Sequence, residues 1–597
     1  MPSMDRLIKS ATRTVWSLFL FVSMVSVINL LRITYYPVAH RVSYEKIIRV
    51  VLLSESLDSH AAVILSAASS FLLILSVWKN GRGKRLFLAI LSVINLSALL
   101  SFYEFDYALA ALAIGISSCI LLHSRENRDA MALAKGVAII LCAIEAISLL
   151  RWLLHPLQLP SRIADPLSRF SAIEAELFYA PADLTPIAML VLLFSYPLFH
   201  LARKLKGVAK SSSVVDANPG LSLDGRIMLA VAVAITALVA SYPYLPSVNP
   251  AGKYVGTDIY YYEIWLDEME KGPSSAFDFA IRHVSSRPLF LLALHYLKPG
   301  NLQTVTFLEW IGVPVFCLLT VSAYFFGSVF KGRNFAGLAA LLSSFSINVV
   351  AGMYTAYYSN AIALALLYAA LAALLLALRR RSCLFALFSA APSVIAIFVH
   401  PWTWAFLQAA VCAFAGLQLL SVARSRKFSE ALRNMMPVIV FVAANVIADL
   451  LKTLLLAAPS AAGISYELAG GAVSMNEFYN LWFNLYFTFR FFAGGYFNNF
   501  FAITSAILGA WWLSKQDGNA EKMLLAWLSV GSVPTLFVNF WVNERIFYNL
   551  PIQMLSAAGL CFWLPRYRSS GMLRKALLIL FVLVNLNYAL RSMANLV

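Results

Sequence analysis

Long apolar runs recur from one end of this 597-residue chain to the other, separated by short polar turns. Each is about 20 residues, the length of helix that crosses a hydrocarbon core roughly 30 Å thick. Nothing else in the sequence restricts the fold as strongly. A segment inside lipid must satisfy its own backbone hydrogen bonds, so only helices and closed barrels can span. The runs are rich in Ala and Leu and show no period-two alternation, which argues against a barrel. With 61% hydrophobic residues and a mean hydropathy of +0.76, the chain holds more apolar surface than a soluble protein of this size can hide. The expected fold is an all-α polytopic membrane protein.

Spans are expected near 14–33, 60–78, 86–103, 107–123, 130–150, 186–202, 227–244, 303–329, 335–352, 359–378, 383–400, 402–423, 435–456, 497–514, 523–541, 547–565 and 576–593, about 17 transmembrane helices. The first run has no cleavage site after it and reads as a true span. If the N-terminus is cytoplasmic, nine segments face the cytoplasm, and they hold 29 of the 46 basic residues but only 8 of the 29 acidic ones. That is the positive-inside asymmetry, and slipping the register by one helix inverts it downstream. The expected location is the plasma membrane, with the C-terminus extracytoplasmic. The net charge of +17 therefore records orientation and contact with anionic lipid headgroups, and no nucleic-acid partner is expected. The six cysteines (Cys119, Cys142, Cys317, Cys383, Cys412, Cys561) lie within apolar runs without metal-binding spacing and read as small apolar residues.

The longest cytoplasmic link, 203–226, is rich in Ser, Gly and charge and reads as a linker. It divides a module at 1–202, about six helices, from one at 227–597, about eleven. No internal repeat argues for transporter-style halves. The second module carries two long outside loops, 245–302 and 457–496.

The first of these loops is the polar anomaly of the chain. After Pro243, Pro246 and Pro250, Asp258 heads a run free of Gly and Pro as far as Lys271, the pattern of a short interfacial helix. Helical spacing places Asp258, Tyr261, Tyr262, Trp265 and Met269 on one face, with Glu263, Asp267, Glu270 and Lys271 towards the other. Aromatic rings beside a carboxylate suit a sugar or a lipid headgroup, and rings also seat at the membrane interface. The plain alternatives are that Asp258 caps the helix, that the rings are anchors, and that Asp267, Glu268 and Glu270 are a solvated face. Arg287-Pro288 then opens PLFLLALHYL, too short to span.

The stretch GTDIYYYEIWLDEM resembles the first-loop acidic motif of the GT-C superfamily of integral membrane glycosyltransferases. SSRPLF is similar to the Pro-Leu-aromatic element that follows it in related arabinose and mannose transferases. Tyr357–Leu378, FVHPWTW at 398–404 and NERIFYNLPIQML at 543–555 are similar to helix-end signatures of archaeal members. The resemblance covers 227–597. It implies a GT-C-like core that moves a sugar from a polyprenyl-phosphate donor to a glycan, lipid or protein acceptor, with inversion and with Asp258 as base. The sequence lacks WWDxG, a C-terminal soluble domain and a second-loop DxE. That departure points to metal-independent or weakly metal-dependent members, and Mg²⁺ or Mn²⁺ stays open as a cofactor with no ligand set assigned.

Such chemistry needs a base, cations for the phosphate leaving group and a dry shaped site. Arg287, Arg490 and Arg545 are the candidate phosphate partners, because a guanidinium grips phosphate in two places. Arg545 is expected in a seven-residue turn, where Glu544 could simply neutralise it. Tyr261, Tyr262, Trp265, Glu268, His283 and His400 complete the substrate candidates. Asp449 and Lys452, three apart, are expected to pair. The rival readings are a multi-pass transporter or lipid-linked sugar flippase, and a non-catalytic scaffold, for which the first module is the best candidate.

Overall fold

The computed structural model describes residues 128–157, most of 185–199 and 224–596, apart from 424–427, 457, 471–472, 492–498, 517 and 568–570, besides isolated residues from 160 to 167. Expected spans 14–33, 60–78, 86–103 and 107–123, and nearly all of the linker, lie outside the described residues. Among the described residues the chain is mostly helical and forms no strand; the one isolated bridge pairs Val473 with Val538. Among the described residues there are two compact units, one of which includes 128–153 and 571–584 and the other the described parts of 188–566 and 585–596. In the first, the helix Arg128–Leu154 meets residues of the last helix, where Cys142 Sγ donates to the Ala576 carbonyl at 3.2 Å.

Eight described helices are long and apolar enough to cross a membrane: Ala138–Leu157, Gly225–Tyr244, Thr304–Lys331, Arg333–Thr355, Tyr358–Arg380, Pro401–Leu419, Arg433–Leu456 and Gly571–Ala594. These helices make it a membrane protein by length and composition. Two expected spans are shorter as helices, Cys383–Val399 and Phe500–Leu513.

The expected span 523–541 is corrected. Its helix, Asn519–Val530, stops at Gly531, and Pro534 opens a single 3-10 turn. Proline has no N–H to donate and disfavours helical backbone in the residue before it, so the run cannot continue. Arg545 accordingly lies in no turn. It belongs to the helix Phe540–Tyr548, which Asn539 caps by accepting from the Val542 N–H. That helix and Ile552–Trp563 together are apolar enough to span, but they meet at 54° across Asn549-Leu550-Pro551. The break frees carbonyls, and neighbouring helices satisfy them. Asn348 Nδ2 donates to the Tyr548 carbonyl, and Trp527 Nε1 donates to that of Asn549 at 2.8 Å.

Packing inside the second unit depends on close backbone approach and a few buried hydrogen bonds, since lipid offers no hydrophobic drive between helices. A Cβ on Gly509 would stand 1.9 Å from the Leu555 carbonyl, and one on Gly559 2.0 Å from that of Ser505, so Phe500–Leu513 and Ile552–Trp563 touch only because both are glycine. Thr236 and Thr320 share a hydroxyl hydrogen bond of 2.8 Å between spans. The span Arg333–Thr355 is 94% buried over its most apolar window, which makes it the centre of this unit. Its far end, Tyr354 to Ala356, is the platform on which the candidate site is built.

Contacts at the two ends of the spans join segments that the charge pattern assigns to one side. At one end Lys331 pairs with Glu521 and bonds Gln516 at 2.7 Å, while Arg379 donates to the Val329 carbonyl. At the other, the loop after residue 245 meets residues 353–359 and Arg287. Asp449 and Lys452 form no ion pair with each other. Asp449 accepts from the backbone of Ala461 at 2.7 Å and caps the next helix, while Lys452 donates to the Pro459 carbonyl. Both satisfy a tight connection that sequence spacing could not reveal.

Candidate functional site

The loop 245–302 folds as three short helices and a single π turn on top of the spans. The run headed by Asp258 is the helix Ile259–Met269, as its composition predicts, and Pro288–Leu297 follows after Arg287. Backbone bonds fix the start of the first helix. Thr257 N–H donates to the Tyr354 carbonyl at 3.2 Å, and Asp258 N–H to that of Thr355 at 3.1 Å. Gly256 makes this docking feasible. Its φ is +104°, and a Cβ there would meet the Ala356 Cβ at 2.7 Å. Only glycine adopts that backbone freely. Ala356 itself is left-handed, with φ of 57°, so both partners hold unusual backbone at the point of contact.

Asp258 stands at the N-cap position, yet its side chain makes no capping hydrogen bond. The capping role is thereby excluded, and the carboxylate is free for another. It is half-buried. Burial pushes its pKa above the ordinary carboxylate value, and the guanidiniums of Arg287 and then Arg545 pull it back only in part. A carboxylate so raised is a better base near neutral pH than a solvated one.

Arg287 comes to this point from the N-terminus of Pro288–Leu297. Its Nη1 donates to Tyr262 Oη at 2.9 Å and reaches Ser359 Oγ at 3.5 Å. Its guanidinium carbon lies 5.6 Å from the centre of the Tyr262 ring and 5.3 Å from that of Trp265. The rings hold the cation in place, while its Nε is buried with no hydrogen-bond partner among the described residues. Tyr262 is wholly buried, stacked on Tyr358 at 6.1 Å and edge-on to Phe290 at 5.4 Å. Burial raises the Tyr262 phenol as well, so it stays neutral and donates or accepts as the site requires.

Arg545 arrives from 258 residues further on than Arg287, on the helix Phe540–Tyr548. Both guanidiniums lie within electrostatic range of Asp258 and of His400. His400 ends the helix Cys383–Val399, and its Nδ1 shares a 2.8 Å hydrogen bond with Thr403 Oγ1, which in turn bonds Asn360. Nε2, the other ring nitrogen, takes no part in that arrangement. The ion pairs among the described residues are Lys271–Glu268, Arg282–Asp278, Lys298–Glu270 and Lys331–Glu521. None involves Asp258, Arg287 or Arg545. Asp258, Arg287 and Arg545 thus share one electrostatic neighbourhood without an ion pair among them, and the guanidiniums stay available to an anionic group.

The other sequence candidates separate from this cluster. Tyr261 is 53% exposed, so it does not share the buried face, which consists of Ile259, Tyr262, Leu266 and Met269. The expected grouping was one residue out at that position, because the packed stripe follows Tyr262 at spacings of four and three. Trp265 belongs to the cluster through Arg287. Glu268 is exposed and pairs with Lys271, and His283 is exposed and stacks on Phe279, so neither touches the site. Asp267 accepts from Thr304 and Glu270 from Lys298, a surface network. Arg490 lies on the helix Leu481–Phe491, but its side chain is outside the described residues. Glu544 lies within electrostatic range of Arg545 but forms no ion pair with it. It is wholly buried, and neither of its oxygens has a hydrogen-bond partner among the described residues. Sequence reasoning missed Ser359, Asn360 and Thr403, whose only signal was their place at helix ends beside His400 and Tyr358.

Among the described residues, no group of three or more His, Cys, Asp and Glu side chains comes together that could hold a metal ion. The sequence matches no family model and no curated protein.

Proposed function

We propose that the chain is a GT-C-type membrane glycosyltransferase. In this reading it moves a sugar from a polyprenyl-phosphate donor to an acceptor at the extracytoplasmic face, with Asp258 as base. The observation that carries the reading is the convergence of Arg287 and Arg545 on a raised carboxylate that caps nothing. Asp258 takes the acceptor hydroxyl proton as its oxygen attacks the anomeric carbon from the face opposite the leaving group. Configuration inverts, and the lipid phosphate departs with its charge balanced by the two guanidiniums. The neighbouring His400 Nε2 offers one more contact to phosphate or acceptor. The positive-inside register supports the extracytoplasmic placement, the plasma membrane as location, and a core at 227–597 preceded by a separate module.

The test is acceptor-dependent turnover by the purified protein with a panel of polyprenyl-phosphate sugars. Absence of turnover across the panel with glycan, lipid and peptide acceptors would defeat the reading. A second reading, transport or flipping of a lipid-linked sugar, draws on the 54° break at Asn549-Leu550-Pro551, since discontinuous helices mark many transporter sites. Reconstituted vesicles separate the two. A transferase leaves the transbilayer distribution of labelled lipid unchanged, and a flippase equalises it without forming a glycosidic bond.

A further inference from the structure

One buried acid beside the site has no role in the mechanism above. Glu544 is 0% exposed, and both of its carboxylate oxygens lack a hydrogen-bond partner among the described residues. Buried polar groups are almost always bonded, and an unbonded one is costly. The contrast within the chain is direct. Asp449, also buried, accepts from two backbone N–H groups, and buried Glu521 is paired with Lys331. Glu544 lies within electrostatic range of Asp258 as well as of Arg545, so it borders the same site. Tyr548, one turn on along the same face of the helix, is buried with its hydroxyl unpartnered, and so is the side-chain oxygen of Asn543. The nine-residue helix Phe540–Tyr548 therefore carries a carboxyl, an amide oxygen and a phenol oxygen that are buried without donors among the described residues.

We propose that Glu544 is a specificity-determining residue that accepts hydrogen bonds from hydroxyl groups of the donor sugar, with Tyr548 and Asn543 beside it. This rests on the transferase reading and adds to it which residue recognises the sugar. A carboxyl group offers two oxygens that accept hydrogen bonds. Adjacent hydroxyls on a pyranose supply two donors at matching separation, and the phosphate of a lipid donor supplies none. The division of labour follows: Arg287 and Arg545 hold phosphate, Glu544 reads the sugar, and Asp258 is left for the acceptor proton. The helix carrying Glu544 is short and ends at the break.

The experiment compares equilibrium binding of a short-chain polyprenyl phosphate bearing mannose or glucose with that of the bare polyprenyl phosphate, for the full chain and for Glu544→Gln. The wild type is expected to bind a sugar-bearing lipid more tightly than the bare one. Glu544→Gln should bind the bare lipid as the wild type does and lose about tenfold to a hundredfold of the affinity for the sugar-bearing lipid. Its thermal midpoint should not fall, because the side-chain oxygens of Glu544 accept no hydrogen bond among the described residues that the amide would lose. Glu544→Asp keeps the charge, withdraws it by one methylene and should lose part of the same increment, which holds the test open should the amide variant not fold. Retention of the full increment by either variant overturns the proposal alone. Equal loss for both lipids with a lowered midpoint makes Glu544 structural and also overturns it. If the wild type does not distinguish the lipids, the transferase reading falls as well.

Discussion

Asp258 shows how little a residue's position on a helix says about its work. By sequence it stands where a cap belongs, and by structure its carboxylate caps nothing. Its raised pKa means that the folded chain holds a proton there more tightly than the unfolded chain does. For an acid raised in this way, the stabilising contribution is present below the ordinary carboxylate value near 4 and is lost as pH rises through the folded value. At neutral pH the ionised side chain therefore opposes folding. Asp258→Asn should keep or raise the thermal midpoint at pH 7 while reducing sugar transfer to background. A variant that transfers normally would remove Asp258 from the mechanism. With the wild type, the acid limb of kcat/KM should lie above pH 4, since the base must lose its proton to act. Arg545→Ala should weaken donor binding by about tenfold or more and leave acceptor binding nearly unchanged, as expected for a charge-assisted contact to phosphate. Unchanged donor affinity in a direct binding measurement would exclude that role.

At the scale of elements, the site depends on one contact between a loop and a helix end. Gly256 at φ +104° packs against left-handed Ala356, and the two backbone bonds from Thr257 and Asp258 follow from that contact. Gly256→Ala adds a methyl group 2.7 Å from the Ala356 Cβ on backbone that resists any side chain. The expected cost is about 1–3 kcal/mol, read as a lower thermal midpoint, with activity falling because Asp258 is displaced. A variant with wild-type midpoint and turnover would show that the docking is not needed. The interfacial helix and the short Pro288–Leu297 helix were legible from composition, because Pro and Gly mark their ends and apolar length limits them. The helix carrying Arg545 was not. Its apolar context concealed two breaks, at Gly531–Pro534 and at Asn549–Pro551; Thr535 satisfies the Gly531 carbonyl locally, but the second break relies on Asn348, 200 residues away. No local pattern records such a partner.

Across the whole molecule, the charge pattern makes a claim that contacts within the second unit support without giving its direction. Segments assigned to one side meet each other, as do Lys331 with Glu521 and Arg287 with Ser359. Orientation is open to labelling. On a cysteine-depleted background, a cysteine in place of exposed Glu268 should react with a membrane-impermeant thiol reagent added outside intact cells, and one in place of exposed Arg380 only after permeabilisation. The reverse pattern would invert the topology and place the site on the cytoplasmic side.

Hydrophobic length and charge bias are properties of single segments, each sensed by the bilayer without reference to the rest of the chain. For that reason the sequence alone determined the mostly helical membrane class and the one loop rich in polar groups. Which side chains meet is not such a property. Arg287, Glu544 and Arg545 are brought within range of Asp258, and His400 within range of the two arginines, by packing in the unit centred on the buried span Arg333–Thr355. That packing also excluded Glu268 and His283, which read equally well on paper. It took Asp258 away from capping, and it left Glu544 buried without a donor, because burial and pairing are set by neighbours hundreds of residues apart.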